Sequence, residues 1–353
     1  MEYEEIKDHV NKMKAKWETY GCTIMCDGWT GPTRMSIINF MVYSKGSTVF
    51  LKSIDASNQT KDHKYIYEQL KKIILKVGKK TVVQIVTDNG SAFVKAGKKL
   101  MGDYNLYWTP CAAHCIDLMF EDIGKNENVA IVIKQARAIT TYIYNHNWLL
   151  AKMCKTCKGD IIRSGLTRFA TNYLALDSLV KKKAGLKQLF TSTDWTNHNY
   201  SASKEGQTVE NIILNHTFWD QAHKMCQLFE SLYKFLRIVD TEVYPTIGAM
   251  YELMGIVKEK LDKMHGAKWI LKIINNRWDK TLKHPLHAAA YILQGCKERI
   301  CRPTAIASRK EMSPVEWWIM YGDSAPTVKK LALKVLSQTA SSSTYERNWS
   351  TLH

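Results

Sequence analysis

Two aspartates stand at the ends of apolar segments, where carboxylates can do chemistry. Asp27 closes the run CTIMCD (22–27), and Asp88 closes the run TVVQIVTD (81–88). If these segments are neighbouring strands of one sheet, both carboxylates project from the same edge and repel each other unless a cation binds or one is protonated. Such oxygen ligands suit Mg²⁺ or Mn²⁺. Two ions about 3.5–4 Å apart can activate an attacking oxygen and stabilise a leaving one in phosphodiester chemistry.

A plainer interpretation of Asp88 is also open. Asn89 and Gly90 follow it directly, and Asp, Asn and Gly are ordinary residues of a strand-to-helix turn. A second ion would also need a third carboxylate, and the 33 acidic residues offer many candidates without selecting one. The residues alone therefore leave the cation site and the simple turn as alternatives.

The elements that would position these acids are crowded into the first part of the chain. A charged helix is predicted over 2–19, and the Lys45-Gly46 pair indicates a hairpin. Period-2 and period-3.6 apolar patterns predict the following elements: strands at 22–27, 36–45 and 47–56, a helix at 62–78, a strand ending at Asp88, a helix at 91–101, a strand at 106–110 and a helix at 111–125. This order predicts an α/β fold with a mixed sheet covered by helices.

Helical patterns dominate the rest of the chain. Residues 126 to about 290 predict an all-helical block, in which 191–208 reads as an exposed connection. The stripe at period 3.6 consists of Phe218, Ala222, Met225, Phe229, Leu232, Leu236 and Val239. A second helix face is predicted behind Pro326 from Val328, Leu331, Ala332, Val335 and Leu336. Trp317 and Trp318 are predicted to be core residues.

Composition narrows the class of protein. The apolar fraction of 45% and the aromatic fraction of 10% are typical of a folded globular chain, and no apolar run reaches the length of a membrane helix. Nine scattered cysteines and a charged N-terminus without an apolar signal core indicate a reducing compartment. The formal net charge of +17 favours an acidic partner, and nucleic acid is the leading candidate.

Several segments, in order along the chain, resemble the hAT superfamily of transposases, in particular plant hAT-derived proteins with a transposase-like domain of unknown function. They are GCTIMCDGWT (21–30), VVQIVTDNGSAFVKAGKKLM (82–101), YWTPCAAHCIDLM (107–119), TRFAT (167–171), RWD (277–279), HPLHAAAYIL (284–293) and the stretch from EWWIMYG to YERNWS (316–350). The resemblance implies an RNase H-like core at 1–125, a helical insertion at 126–312 and a C-terminal dimerisation region at 313–353.

The resemblance also implies a set of site residues. Asp27, Asp88 and Glu346 fall where the family has its three catalytic, metal-binding acids, which would hold Mg²⁺ or Mn²⁺ if the protein is catalytic. His114 falls where a DNA contact is expected. Arg168 and Phe169 lie in a motif in which relatives often carry a tryptophan that stacks on a flipped base; an ordinary core aromatic is an equal alternative for Phe169.

The Cys and His residues have competing interpretations. Cys111 and His114 could form half of a zinc site that Cys154 and Cys157 complete. Buried thiols and a satisfied core histidine are favoured, because the pairs lack a compact finger spacing, and a structural zinc is therefore not expected. His284 and His287 are interpreted as residues at a helix start and not as ligands.

Three departures from the family pattern argue against an active enzyme. No zinc finger precedes the core, the segment between YILQG and SPVEWW is short, and the chain stops seven residues after Glu346, as though truncated. The leading hypothesis is a nuclear, transposase-derived protein that dimerises through its C-terminal segment and binds DNA, with catalysis weakened or lost. The alternatives are an active Mg²⁺-dependent DNA transposase and a protein-interaction module without DNA binding. No membrane association is expected.

Overall fold

The computed structural model describes residues 2–31, 35–163, 169–295, 303–308 and 311–342. The chain forms two compact units. The first consists of 1–116, 235–256 and 275–353, and the second of 117–234 and 257–274. The domain boundaries placed after residues 125 and 312 stay a prediction.

The first unit contains one five-stranded mixed sheet, as predicted. Its strands are β1 (Cys22–Thr30), β2 (Ser36–Ser44), β3 (Ser47–Asp55), β4 (Val82–Thr87) and β5 (Tyr107–Pro110). The spatial order is β3-β2-β1-β4-β5. β2 is antiparallel to both β1 and β3, whereas β4 is parallel to β1 and β5 is parallel to β4. The carboxyl ends of β1, β3, β4 and β5 therefore lie along one edge of the sheet.

The predicted hairpin and the predicted end of the helix at Gly78 are confirmed. Lys45 and Gly46 join β2 to β3 with φ angles of 46° and 79°, which is the backbone of a two-residue turn matched to the strand twist. Gly78 has a φ of 112°, and its N–H donates to Ile74 O at the end of the first crossover helix. The side chain of Asp62 caps the start of that helix by accepting from Tyr65 N–H.

The α-helices of the described residues are α1 (Glu2–Ala15), α2 (Trp17–Tyr20), α3 (His63–Val77), α4 (Ser91–Asp103), α5 (Ala112–Gly124), α6 (Glu127–Tyr144), α7 (Asn147–Thr156), α8 (Phe169–Lys181), α9 (Lys183–Phe190), α10 (Thr193–Thr196), α11 (Asn199–Ala202), α12 (Lys204–Leu214), α13 (His216–Val239), α14 (Met250–Asp262), α15 (Lys268–Arg277), α16 (Pro285–Gly295), α17 (Pro303–Ala307), α18 (Pro314–Tyr321) and α19 (Pro326–Leu336). Within that part of the chain, none combines the length and the apolar character that crossing a bilayer requires.

The two faces of the sheet carry different side chains. One face packs on α3 and α4 through a buried apolar cluster that includes Ile24, Cys26, Phe40, Ile85, Ile66, Leu70, Phe93 and Leu100. The alternate positions of β1, Thr23, Met25 and Asp27, belong to the other face, because successive side chains of a strand point to opposite sides. Met25 packs there with Met41 and Tyr43.

A buried segment, residues 337–342, which we call the strap, is hydrogen-bonded to strands β1 and β4, to the turn between β2 and β3, and to the start of α5. Gln338 accepts from Thr23 Oγ1 at 2.9 Å and donates to Tyr20 O at 2.8 Å. Gln84 Nε2 donates to Thr339 O at 3.0 Å. Further bonds join Lys45 N–H to Ser337 O, Ala112 N–H to Ala340 O and Ser342 N–H to Cys111 Sγ. The strap therefore links α19 to the sheet.

The second unit is helical, as expected, but one part of that prediction is wrong. Segment 191–208, predicted to be an exposed connection, contains α10, α11 and the start of α12. Trp195 in this segment is completely buried, and its Nε1 donates to Glu210 Oε2 at 3.0 Å. Helices of four residues are too short for an apolar period to reveal them.

The C-terminal helices of the first unit confirm one prediction and correct another. Trp317 and Trp318 are core residues, and their indole N–H groups donate to Ala305 O and Leu293 O. The helix behind Pro326 exists as α19, with Ala332, Val335 and Leu336 buried. However, Val328 and Leu331 are 38% and 53% exposed, so the predicted stripe is buried on only one side.

Candidate active site at the sheet edge

The backbone register places the two predicted acids side by side. The parallel pairing of β1 with β4 ends at Cys26 and Thr87. Asp27 and Asp88 each follow one residue later, on strands whose backbones run about 4.8 Å apart. Both side chains are half-buried. The structure therefore brings the two acids to adjacent positions on neighbouring strands. The predicted end of the first strand at Asp27 is wrong, because β1 continues to Thr30 through its pairing with β2.

Asp88 also forms the turn that the plainer interpretation required. Its Oδ1 accepts from Gly90 N–H at 2.8 Å, and α4 begins at the next residue. Burial raises the pKa of the Asp88 carboxyl above its usual value, while the Gly90 N–H and the nearby His114 and Lys61 oppose that rise. A turn carboxylate with one oxygen engaged can still offer the other, so the two interpretations of Asp88 are compatible.

The residue before Asp88 is fixed by β5 and its following turn. Thr87 is fully buried, and its Oγ1 accepts from Trp108 Nε1 at 3.0 Å. The Thr87 carbonyl accepts from Cys111 N–H at 2.7 Å. Two directional bonds at position 87 leave little freedom for the start of the Asp88 side chain, which favours a preorganised site.

Sequence reasoning missed two residues at this edge. Asn39 is the direct antiparallel partner of Asp27, and its Oδ1 accepts from Ser53 Oγ. Lys61 donates from Nζ to Ser36 Oγ at 2.6 Å and to Thr30 Oγ1 at 3.0 Å. The alternation of apolar residues around Asn39 could have placed it opposite Asp27, but no local pattern distinguishes Lys61, which lies on a loop.

The cysteines beside the site are buried thiols. Asn89 Nδ2 contacts Cys115 Sγ at 2.9 Å, and Cys111 Sγ lies 3.3 Å from Ser341 Oγ. Burial raises the pKa of the Cys115 thiol to about 12, so it stays protonated at neutral pH. Within the described ranges, no three His, Cys, Asp or Glu side chains are grouped as a metal-binding set.

The two histidines predicted to start a helix do so. α16 begins at Pro285, between His284 and His287. The ring Nδ1 of His287 lies 2.9 Å from Leu282 O, and its Nε2 is buried without a partner among the described residues. Burial lowers the pKa of His287 to about 4, so the ring is neutral at physiological pH.

Three residues of the predicted site lie wholly or partly outside the described structure. Glu346 and Arg168 lie outside the described residues, and for Phe169 only the backbone at the start of α8 is described. Among the described members of the predicted set, Asp27, Asp88 and His114 belong to one unit. His114 is among the groups that oppose the rise in the pKa of the Asp88 carboxyl.

Comparison with protein families gives two matches. A domain of unknown function, DUF659, matches residues 1–139, which include the whole sheet and both aspartates. The C-terminal dimerisation region of the hAT family matches residues 297–353, which include α18, α19 and the strap. No curated protein matches the chain significantly.

Proposed function

The chain is a hAT-family transposase-like protein with a dimerisation region, and from this premise we propose that it is a nuclear, transposase-derived dimer that binds DNA and whose catalysis is weakened or lost. The two family matches carry the proposed origin and the dimer, and the register that sets Asp27 beside Asp88 carries the position of the ancestral active site. Paired carboxylates at a sheet edge repel each other, and a bound divalent cation is one way to relieve that repulsion. We therefore interpret this edge as the transposase active site.

The strand order supports an RNase H-like core. Three antiparallel strands followed by two parallel ones, in the order β3-β2-β1-β4-β5, agree with the architecture that the resemblance implies. In this arrangement the first acid lies on the central strand and the second follows its parallel neighbour. The proposal of an RNase H-like core therefore rests on topology together with the family matches.

The donor set fits a hard divalent cation. Asp27 and Asp88 supply carboxylate oxygens, the ligands that Mg²⁺ and Mn²⁺ prefer. When bound, such an ion would polarise a phosphodiester and lower the pKa of an attacking hydroxyl. The chain's own contribution is to hold Asp88 in position through the Thr87 bonds to Trp108 and Cys111, and Asp27 through the pairing of β1 with β2.

We propose Glu346 as the third acid, and the strap supports this assignment. Ser342 is bonded to Cys111, and Cys111 is bonded to the Thr87 carbonyl directly before Asp88. Glu346 follows Ser342 by four residues, which span at most about 14 Å. The strap thus delivers the chain to the neighbourhood of Asp88.

A lysine at this edge supports weakened catalysis. Lys61 donates to Ser36 and Thr30 and opposes the rise in the pKa of Asp88, so it offsets part of the negative charge that a divalent cation would otherwise meet. The register of Asp27 and Asp88 favours the second candidate, an active Mg²⁺-dependent transposase. The two candidates differ in cleavage and share DNA binding and dimerisation.

We place the dimer contact on the exposed apolar side of α18 and α19. Met320 is 60% exposed and Leu331 53%, within the region matched to hAT dimerisation. Leu331→Asp is expected to convert the dimer to monomers, because a charge would be buried in the contact. Size-exclusion chromatography with light scattering measures this. Leu75→Asp on α3 is the control, since Leu75 is 52% exposed and lies outside the region matched to hAT dimerisation.

An unchanged dimer in Leu331→Asp would contradict this placement of the contact. Loss of the dimer in Leu75→Asp as well would show that a new surface charge is sufficient, so the contact would not be assigned to α19. Thermal unfolding of both variants should stay near that of the native chain, because each residue is exposed and surface substitutions usually change stability by less than about 0.5 kcal/mol.

The proposed DNA binding is tested by fluorescence anisotropy with duplex DNA at several salt concentrations. Phosphate contacts by lysine and arginine make log K fall linearly with log[salt]. A steep negative slope supports DNA binding. No duplex affinity at low salt would overturn it and favour the protein-interaction module.

A further inference from the structure

We propose that the outer surface of α3 and α4 binds the phosphates of a duplex DNA segment and is separate from the acid edge. We call this surface the lysine face. It consists of three lysines from each helix: Lys64, Lys71 and Lys72 of α3, and Lys95, Lys98 and Lys99 of α4. The inference rests on the proposed DNA binding and assigns it to a surface.

Side-chain contacts join the two helices into one surface. The Nζ atoms of Lys71 and Lys99 lie 5.7 Å and 4.3 Å from the centroid of the same Tyr67 ring. The Tyr67 hydroxyl donates to Asp103 Oδ2 at 2.7 Å, which bridges α3 to the end of α4. The ring attracts both ammonium groups without neutralising them, so two positive charges stay concentrated between the helices.

The lysine face differs from the helical unit in how its charges are balanced. In the second unit, Lys125, Lys181, Lys234 and Lys263 each pair with an acid one helical turn before it. Across the described ranges, no ion pair includes any of the six lysines of the lysine face. Their helices contain only two acids, Glu68 and Asp103, and Asp103 is engaged by Tyr67. The result is a net positive surface.

The dimensions and chemistry fit a duplex. α3 has 15 residues and is about 22 Å long, which matches about six base pairs. Tyr67 is buried, so the lysine face offers no aromatic platform on which single-stranded bases would stack. The apolar faces of α3 and α4 pack in the core except for Leu75, which leaves little apolar surface for insertion into lipid. Phosphate contacts without base reading are expected.

The lysine face and the acids belong to different sides of the sheet. α3 and α4 cover the face that carries Ile24 and Cys26, whereas Asp27 alternates with Met25 on the other. DNA held by the lysine face is therefore a different segment from DNA at the acid edge. Such an arrangement can hold flanking or target DNA while the acids face another strand.

The test replaces Lys64, Lys72, Lys95 and Lys98 together by glutamine and leaves Lys71 and Lys99 against Tyr67. The matched control replaces Lys125, Lys181, Lys234 and Lys263 by glutamine and lowers the net charge by the same four units. Binding of a non-specific duplex of about 20 base pairs is measured by anisotropy from low to moderate salt. In the lysine-face variant, the slope of log K against log[salt] is expected to become less negative by about 3–4. Its affinity for the duplex is expected to fall about 30-fold or more.

The control variant is expected to keep most of the native slope and affinity, because its lysines are already paired. Equal losses in both variants, or none in the lysine-face variant while the native chain binds, would overturn the lysine face and leave the proposed DNA binding intact. If the lysine-face variant keeps its duplex binding but loses binding to phosphatidylserine vesicles, the lysine face is a lipid-binding surface and the proposal is overturned. No duplex binding by the native chain would overturn both proposals.

Discussion

Alanine at Asp27 or at Asp88 is expected to lower Mn²⁺-dependent nicking of supercoiled plasmid by about a thousandfold or more from the native level, because either change removes a carboxylate from the cation site. The neighbouring register of the two residues makes them one functional unit. Their losses should therefore not add: the double variant should be no slower than the slower single variant. Gel electrophoresis of the nicked product measures all three.

Asp55→Ala is the matched control for this prediction. Asp55 ends β3 at the same edge of the sheet but two strands away from β1, and its Oδ1 accepts from Ser57 N–H and Oγ. Its nicking should equal that of the native chain. Nicking that survives in Asp27→Ala and Asp88→Ala would contradict the acid edge as the active site. Absence of nicking in the native chain, with DNA binding retained, is the result that lost catalysis predicts.

Gly97→Ala is expected to destabilise the protein by about 2–3 kcal/mol, although alanine is a better helix former than glycine. A Cβ at position 97 would lie 2.1 Å from Trp108 Cδ1, so the indole would have to move. Trp108 Nε1 holds Thr87, and Thr87 precedes Asp88. The substitution should therefore also reduce any cation-dependent activity.

Gly102→Ala is the control, because it makes the same change in the same helix with nothing within 4 Å of the new Cβ. It should stabilise the chain by up to about 1 kcal/mol through helix propensity alone. Urea denaturation measures both variants. Equal stability of the two would contradict the close packing of α4 on β5, since only that packing distinguishes the two positions.

Local pattern was sufficient to predict the sheet and its crossover helices. The alternation of Ile38, Phe40 and Val42, the Lys45-Gly46 turn and the helical spacing from Ile66 to Val77 are each encoded within about fifteen residues. The strand order was not predicted, because β4 pairs with β1 and not with β3, the strand that precedes it along the chain. The acids could be placed at one edge because both end their apolar runs.

Features that depend on distant contacts could not be predicted. The strap is a run of polar and small residues, which favours exposure to solvent. Gln338 is nevertheless buried, because Thr23, more than 300 positions away, donates a hydrogen bond to its side chain. Leu331 has the spacing of a core residue, and the structure exposes it. The path of a loop brings Lys61 to Ser36 and Thr30 at the sheet, and no periodicity encodes that path.

The most direct test of the central claim is Mn²⁺ binding, measured by isothermal titration calorimetry on the native chain, Asp27→Asn, Asp88→Asn and the control Asp55→Asn. Asparagine keeps the size of the side chain and removes its charge. If the acid edge is one cation site, both site variants should bind Mn²⁺ about 10-fold or more weakly, because charged oxygen ligands set the affinity for such ions. The Asp55→Asn control should bind as the native chain does. No Mn²⁺ binding by the native chain, or unchanged binding in either site variant, would contradict the account.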